Sequence, residues 1–109
     1  MEIVFTSSAN KKLFDSEKKL EKKFGRKTAR EVMEIRTQLE LARNLADYKL
    51  VDRSCHELAG DRKGQIAICL EHPYRLIVEP IPRVVKLDGG LDWAKTTSVS
   101  IIEVVDYHK

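Results

Sequence analysis

The sequence predicts one α+β domain, in which an N-terminal strand and a two-helix hairpin pack on an antiparallel sheet of three to four further strands. Helical periodicity dominates the first half of the chain, and runs rich in β-branched residues occupy the second. The length of 109 residues suffices for one hydrophobic core but not for two ordinary domains. A composition of 34% charged and 42% hydrophobic residues is typical of a globular protein.

The first half carries the signals of one strand and two helices. Residues 2–6 predict a short strand, after which Ser7 can accept a hydrogen bond from the free amides of a helix start. Gly25 is placed to end the first helix, and the second begins near Thr28. Apolar residues then recur every three or four positions: Val32, Ile35, Leu39, Ala42 and Leu45. This stripe predicts a helix that packs on a sheet.

The second half predicts the sheet. Residues 65–70, 74–79 and 99–105 are apolar, β-branched runs of strand length. The short connection 71–73 contains proline and favours an antiparallel hairpin between the first two. Residues 80–98 contain two prolines and two glycines and predict a long excursion, part of which is apolar enough to pack on the domain or to add an edge strand.

Two further expectations concern the compartment. No run approaches the roughly 20 apolar residues of a membrane-spanning helix, and the first residues lack the basic start of a signal peptide. We therefore expect a cytoplasmic protein without a membrane partner. Cys55 and Cys69 have no reason to pair in a reducing compartment, and we expect both to be free and buried.

Positive charge is concentrated in one part of a chain whose net charge is only +3. Residues 11–30 hold nine cationic side chains against Asp15, Glu17 and Glu21. Such an excess favours a polyanion such as RNA as the partner, although a solvated helix face that only confers solubility is an equal alternative. The nine candidate RNA-binding residues are Lys11, Lys12, Lys18, Lys19, Lys22, Lys23, Arg26, Lys27 and Arg30.

The three histidines are His56, His72 and His108. If the last strand continues to the end of the chain, Asp106 and His108 share one of its faces. An acid beside an imidazole holds one tautomer and stabilises the protonated ring, which suits proton transfer. A strand end without a function is the alternative. His72, in the predicted turn, is not assigned to a site.

Zinc binding is a less favoured alternative. The chain's soft ligands are Cys55, His56, Cys69, His72 and His108. Cys69 and His72 have a ligand-like spacing, but Cys69 lies within a predicted strand and no second paired motif accompanies them. We therefore expect no metal site.

Three separated motifs occur in order along the chain: residues 55–65, which include His-x-Leu-x-Gly-Asp, residues 74–80, and the terminal Asp-Tyr-His at 106–108. Together they resemble the motifs of HigB-type toxins of the RelE/ParE superfamily. The likeness covers the second half closely, including Asp92-Trp93, and the first half agrees in having a strand and two helices.

The resemblance implies a RelE-like β-α-α-β-β-β fold and the toxin of a type II toxin–antitoxin system. The implied activity is that of a ribosome-dependent mRNA endonuclease that inhibits translation and uses neither a metal nor another cofactor. The implied partners are mRNA on the ribosome and a cognate helix-turn-helix (HigA-like) antitoxin, with which the toxin forms a hetero-oligomer.

Carried over onto matching positions, the resemblance implies five catalytic residues: His56, Arg75, Asp106, Tyr107 and His108. Metal-free RNA cleavage needs a base for the 2′-OH proton, a cation for the phosphorane, and an acid for the leaving 5′-oxygen. The two imidazoles can divide the base and acid roles, with Asp106 orienting one of them. Arg75 suits the phosphate oxygens, and Tyr107 can stack on a base.

The chain departs from many relatives at Ala59, where they carry a lysine before the Gly-Asp pair. Arg62 or Lys63 can supply the missing charge, and both are therefore counted among the RNA-binding candidates. Otherwise the activity is reduced, and a toxin that has become a DNA-binding or regulatory protein is one alternative function.

A second alternative is a ParE-like toxin that binds and poisons a topoisomerase without cleaving RNA, because one fold can serve several functions. Two of the candidate site residues also have structural alternatives. Arg75 could be a surface cation paired with Glu79. His56 could be a residue whose ring nitrogens only form hydrogen bonds with backbone carbonyls.

Overall fold

The computed structural model describes residues 1–106 and confirms the α+β class. The strands are β1 (Glu2–Phe5), β2 (His56–Glu57), β3 (Ile66–Cys69), β4 (Tyr74–Pro80) and β5 (Ser98–Asp106). The helices are α1 (Ser8–Phe14), α2 (Glu17–Phe24), α3 (Arg26–Leu41) and α4 (Leu45–Val51). Single 3₁₀ turns lie at Gly60–Arg62 and Trp93–Lys95.

All five strands belong to one sheet with the order β1-β5-β4-β3-β2. The four later strands pair antiparallel, as predicted, but β1 lies parallel to β5 and the sheet is therefore mixed. Glu2 is opposite Ser98, and Phe5 is opposite Ile101. A four-residue strand carries little information about its neighbour, so only the folded chain reveals this parallel edge.

Each of the two predicted helices is divided in two. The Ser16 hydroxyl accepts a hydrogen bond from the Lys19 amide at 3.1 Å and so starts α2, and the Asn44 side chain accepts from the Asp47 amide at 2.8 Å and starts α4. These capping side chains favour a new helix over continuation of the old one. Gly25, at φ 93°, joins α2 to α3 as predicted. None of the helices within residues 1–106 has the length and apolar character needed to cross a bilayer.

The helical layer and the sheet share one core. The apolar stripe predicted for the second helix is buried in that core: Val32, Ile35, Leu39, Ala42 and Leu45. From the sheet it meets the buried side chains Ile66, Ile68, Leu76, Val78, Val99 and Ile101. Burial of one such side chain contributes about 1.5–3 kcal/mol, so this packing fixes which face of the sheet the helices cover.

Both cysteines are free, but only one is buried. Cys55 is inside the core, as predicted, whereas the prediction of burial is wrong for Cys69, which is exposed. Because β2 has only two residues, it pairs with Ile66 and Ala67 and leaves Cys69 at an uncovered part of the β3 edge.

The excursion between β4 and β5 packs on the domain. Val85 and Leu91 form an isolated antiparallel bridge, and Leu91 is buried. The Lys49 ammonium group lies 4.2 Å from the centroid of the Trp93 ring, which joins the excursion to α4. The prediction that part of this segment packs is confirmed.

Candidate functional site

Strand alternation gives the sheet two different faces. On β4, Leu76 and Val78 point into the helical core, whereas Arg75, Ile77 and Glu79 point to the opposite side. We call that opposite side the open face. Every candidate site residue in the sheet can be assigned to one of the two sides by its pairing register.

His56 belongs to the open face, because it is opposite Ala67 and Ala67 is opposite Ile77. Its ring is exposed, and Nδ1 lies 2.9 Å from the Ser54 carbonyl oxygen. When Nδ1 donates a proton there, Nε2 keeps a lone pair and can act as a base. Within residues 1–106 the ring makes no second hydrogen bond, so the backbone satisfies one ring nitrogen only.

Arg75 lies on the open face of the central strand β4. Its Nη1 donates to the Tyr74 carbonyl oxygen at 2.8 Å, and its cross-strand partners are Cys69 and Val105. His56 lies two strands away and two residues along the sheet, which corresponds to roughly 12 Å between the Cα atoms at standard strand spacing. An arginine and a histidine at that separation can approach the same nucleotide from two sides.

A polar network that the sequence did not reveal covers the middle of the open face. Arg62 donates to Gln65 at 2.9 Å and to Glu103 at 3.1 Å, and Gln65 donates to Glu79 at 3.5 Å. The network lies over Ile77, which explains how a side chain facing away from the core is fully buried. The sequence signal that could have indicated this network is the opposite charge of Arg62 and Glu103, which lie on segments far apart in the sequence.

This network changes the roles expected of two cations. Arg62, which was to replace the missing lysine at position 59, forms an ion pair with Glu103. Its charge is therefore compensated within the protein. Lys63 is exposed, and no ion pair of its own appears among the described residues. Lys63 is thus the better placed of the two to meet a phosphate.

Asp106 lies on the other side of the sheet from Arg75. It is opposite Tyr74, whose ring packs edge-to-face on Phe24 of α2 at a centroid distance of 5.6 Å. The residue opposite Arg75 is Val105. The structure therefore brings His56 and Arg75 to one face and separates Asp106 from them. Tyr107 and His108, the other two predicted catalytic residues, lie outside the described residues.

The nine cations of residues 11–30 form a second, separate surface. All nine are exposed on α1, α2 and α3, the helices that cover the side of the sheet opposite to the open face. Three of them pair with carboxylates: Lys11 with Asp15, Arg26 with Glu21, and Lys27 with Glu71. We call this set the basic helical surface. It lies on the other side of the sheet from His56 and Arg75.

Within residues 1–106, no group of three or more histidine, cysteine, aspartate or glutamate side chains is arranged to hold a metal ion. Comparisons with protein-family models, with curated proteins and with solved structures gave no match.

Proposed function

We propose that this chain is the toxin of a type II toxin–antitoxin system and has a RelE-like fold. It acts in the cytoplasm, where it cuts mRNA on the ribosome. The observation that supports this proposal best is the presence of His56 and Arg75 on one face of the sheet. The motifs that resemble HigB-type toxins supply the reaction type.

In the proposed reaction, His56 Nε2 accepts the proton of the ribose 2′-OH as the oxygen attacks the adjacent phosphorus. The contact between Nδ1 and the Ser54 carbonyl orients the ring for this role. The Arg75 guanidinium holds the phosphate oxygens and stabilises the additional negative charge of the phosphorane. His108 protonates the leaving 5′-oxygen, and Tyr107 stacks on a base. No step requires a metal or another cofactor.

Asp106 has no direct part in this form of the proposal. By register the Asp106 carboxylate belongs to the helix side of the sheet, so it does not share a face with His56 and Arg75. The proposal therefore requires that the alternation of β5 does not extend beyond Asp106, so that His108 reaches the open face.

The basic helical surface gives a physical reason for dependence on the ribosome. Its cations face away from the open face and would contact ribosomal RNA, while the open face receives the messenger strand. Binding through several phosphate contacts weakens steeply with salt, so cleavage on ribosomes should fall as ionic strength rises. A helix-turn-helix antitoxin with an acidic surface would bind the same cations in a hetero-oligomer, because potentials across interfaces tend to be complementary.

The test is cleavage of a defined mRNA by the purified chain, with and without ribosomes, beside the same mRNA with a 2′-deoxy nucleotide at the cleavage site. We expect Arg75→Ala and His56→Ala each to reduce the cleavage rate by about a hundredfold or more. His72→Ala is the matched control, because His72 is an exposed turn histidine outside the proposed site. Full activity of both site variants would refute the site, and unchanged cleavage of the 2′-deoxy mRNA would refute attack by the 2′-OH.

One observation favours a second candidate, a ParE-like toxin that binds a topoisomerase and cleaves nothing. The network around Arg62 covers the middle of the open face and places Glu79 and Glu103 there, which opposes RNA binding. After induction of the chain in cells, an early loss of DNA supercoiling with continued translation would support this candidate. Early arrest of translation would support the nuclease.

A further inference from the structure

A continuous apolar groove runs between the end of α3 and α4. Leu41, Leu50 and Val51 are 80%, 74% and 63% exposed. With Gln38 and Asp47 they line a cavity of about 430 Å³. Two neighbouring cavities share lining residues with it: one of about 240 Å³ at the β3 edge, through Gln38 and Val51, and one of about 290 Å³ through Asp47 and Leu50. We call the three together the α3–α4 groove.

The core does not need these exposed side chains. On α4, Leu45 and Tyr48 fill the core, while Ala46 and Leu50 lie on the groove side. A short helix that is apolar on two sides has a second surface to cover. Contiguous exposed leucine and valine side chains mark such a surface as an interaction site.

The charge of the groove is opposite to that of the whole chain. The edge cavity is lined by Glu31, Glu34 and Asp52, and Asp47 lines the other two cavities. Arg43 is the one cation among the lining residues in the described part of the chain. Arg43 forms an ion pair with Asp47, so the three carboxylates of the edge cavity have no cation among the described lining residues and favour a cationic occupant.

The polar groups that a ligand can reach in the edge cavity are carboxylates. Tyr48 also lines this cavity, but it is 1% exposed and its hydroxyl oxygen is sealed from solvent, so a ligand does not reach that oxygen. Burial raises the pKa of Tyr48, and the neighbouring Asp52 carboxylate raises it further, which places Asp52 beside the hydroxyl. Glu34 is exposed at the same cavity, so a cationic ligand group would meet its carboxylate first.

We propose that the α3–α4 groove binds an amphipathic helix of a partner protein, which places an apolar stripe on Leu41, Leu50 and Val51 and inserts one lysine or arginine into the edge cavity. The cationic head donates hydrogen bonds to the Glu34 carboxylate. The groove is walled mainly by side chains of two helices, which suits recognition of a helix in a groove. The proposal uses neither His56 nor Arg75 and is independent of the RNA-cleavage proposal.

The experiment is a display selection of randomised 16-residue peptides against the full chain, followed by Kd measurement for the enriched peptides. We expect them to carry apolar residues at positions i and i+4 and a nearby lysine or arginine. Leu50→Ser should weaken binding tenfold or more. Leu87→Ser is the matched control, because Leu87 is also an exposed leucine but lies on the excursion, and binding should not change.

A charge exchange tests the cationic contact separately. Glu34 is exposed, so Glu34→Lys should preserve the fold while it weakens a basic peptide about tenfold. The same peptide with its cation replaced by glutamate should regain affinity for the Glu34→Lys variant.

Three outcomes would overturn the proposal. One is a selection that enriches no peptide, or only peptides without a cation. Another is binding that is indifferent to Leu50→Ser. The third is sedimentation of the chain alone as a dimer that Leu50→Ser dissociates, because a second copy would then occupy the groove.

Discussion

Replacement of Tyr48 by phenylalanine should stabilise the protein, although the substitution removes a polar group from its interior. The Tyr48 hydroxyl is buried and forms no hydrogen bond within residues 1–106. The unfolded chain hydrates this hydroxyl, whereas in the folded chain its polar neighbour is the Asp52 carboxylate, and no hydrogen bond of good geometry joins the two. A buried hydroxyl without a partner costs about 1–3 kcal/mol, and phenylalanine avoids that cost while it keeps the ring.

The expected change can be expressed as a melting temperature. At about 2.1 cal/mol/K per residue, a chain of 109 residues has an unfolding entropy near 0.23 kcal/mol/K. A gain of about 1–2 kcal/mol therefore corresponds to roughly 4–9 °C. Calorimetry or thermal denaturation followed by circular dichroism measures this shift. Tyr74→Phe is the control, because Tyr74 is only partly buried and its substitution should change the stability by less than about 0.5 kcal/mol.

The dependence on pH provides a second measurement with the same variant. Because burial raises the pKa of Tyr48 above its usual 10.0, the unfolded chain ionises first as the pH rises. Ionisation therefore stabilises the unfolded chain above pH 10, and the free energy of unfolding falls as the pH rises from there towards the folded-state pKa, whereas below pH 10 this effect is absent. Tyr48→Phe should not show this part of the fall. A melting temperature that falls in the variant would refute the reasoning, since it would show that the hydroxyl has a stabilising partner.

Three further predictions follow from the structure. Iodoacetamide should alkylate Cys69 about a thousandfold faster than Cys55, because Cys69 is exposed while burial raises the pKa of Cys55 to about 12. Equal rates in peptide mass spectrometry would contradict the burial of Cys55. A double-mutant cycle for Arg62 and Glu103 should give a coupling of less than about 1 kcal/mol, because both side chains are about a third or more exposed, and a larger value would mean that the network is shielded from water. Hydrogen bonds from Lys11, and to a smaller extent from Arg36, lower the pKa of Asp15 below 3.8. The contribution of Asp15 to the free energy of unfolding is therefore present above pH 3.8 and lost as the pH falls further. Urea titrations of wild type and Asp15→Asn should converge in acid, and a constant difference between them would argue against those contacts.

The sequence was a good guide where a pattern is local. The spacing of Val32, Ile35 and Leu39 predicted a buried helix face, and those residues are buried because α3 places them on one side. The divisions at Ser16 and Asn44 were missed, although both are capping residue types, because a capping side chain competes with continued helix and the sequence does not say which is favoured.

The candidate site was predicted less completely. The resemblance selected His56 and Arg75, and the sheet brings both to the open face. The position of Asp106 depends on register, and a shift of one residue would have placed it beside Arg75. The network that joins Arg62 to Glu103 links segments far apart in sequence, which no local pattern encodes.

The sequence by itself determined the α+β class, the helix face that becomes buried, and the concentration of positive charge in residues 11–30. These properties follow from the order of side chains along the chain, which periodicity and composition record directly. Only the tertiary structure decided that β1 is parallel to β5, that the basic helical surface and the open face lie on opposite sides of the sheet, and that the α3–α4 groove exists. The physical reason is that strand pairing and helix packing join distant segments, and their energies depend on a register that exists only after folding.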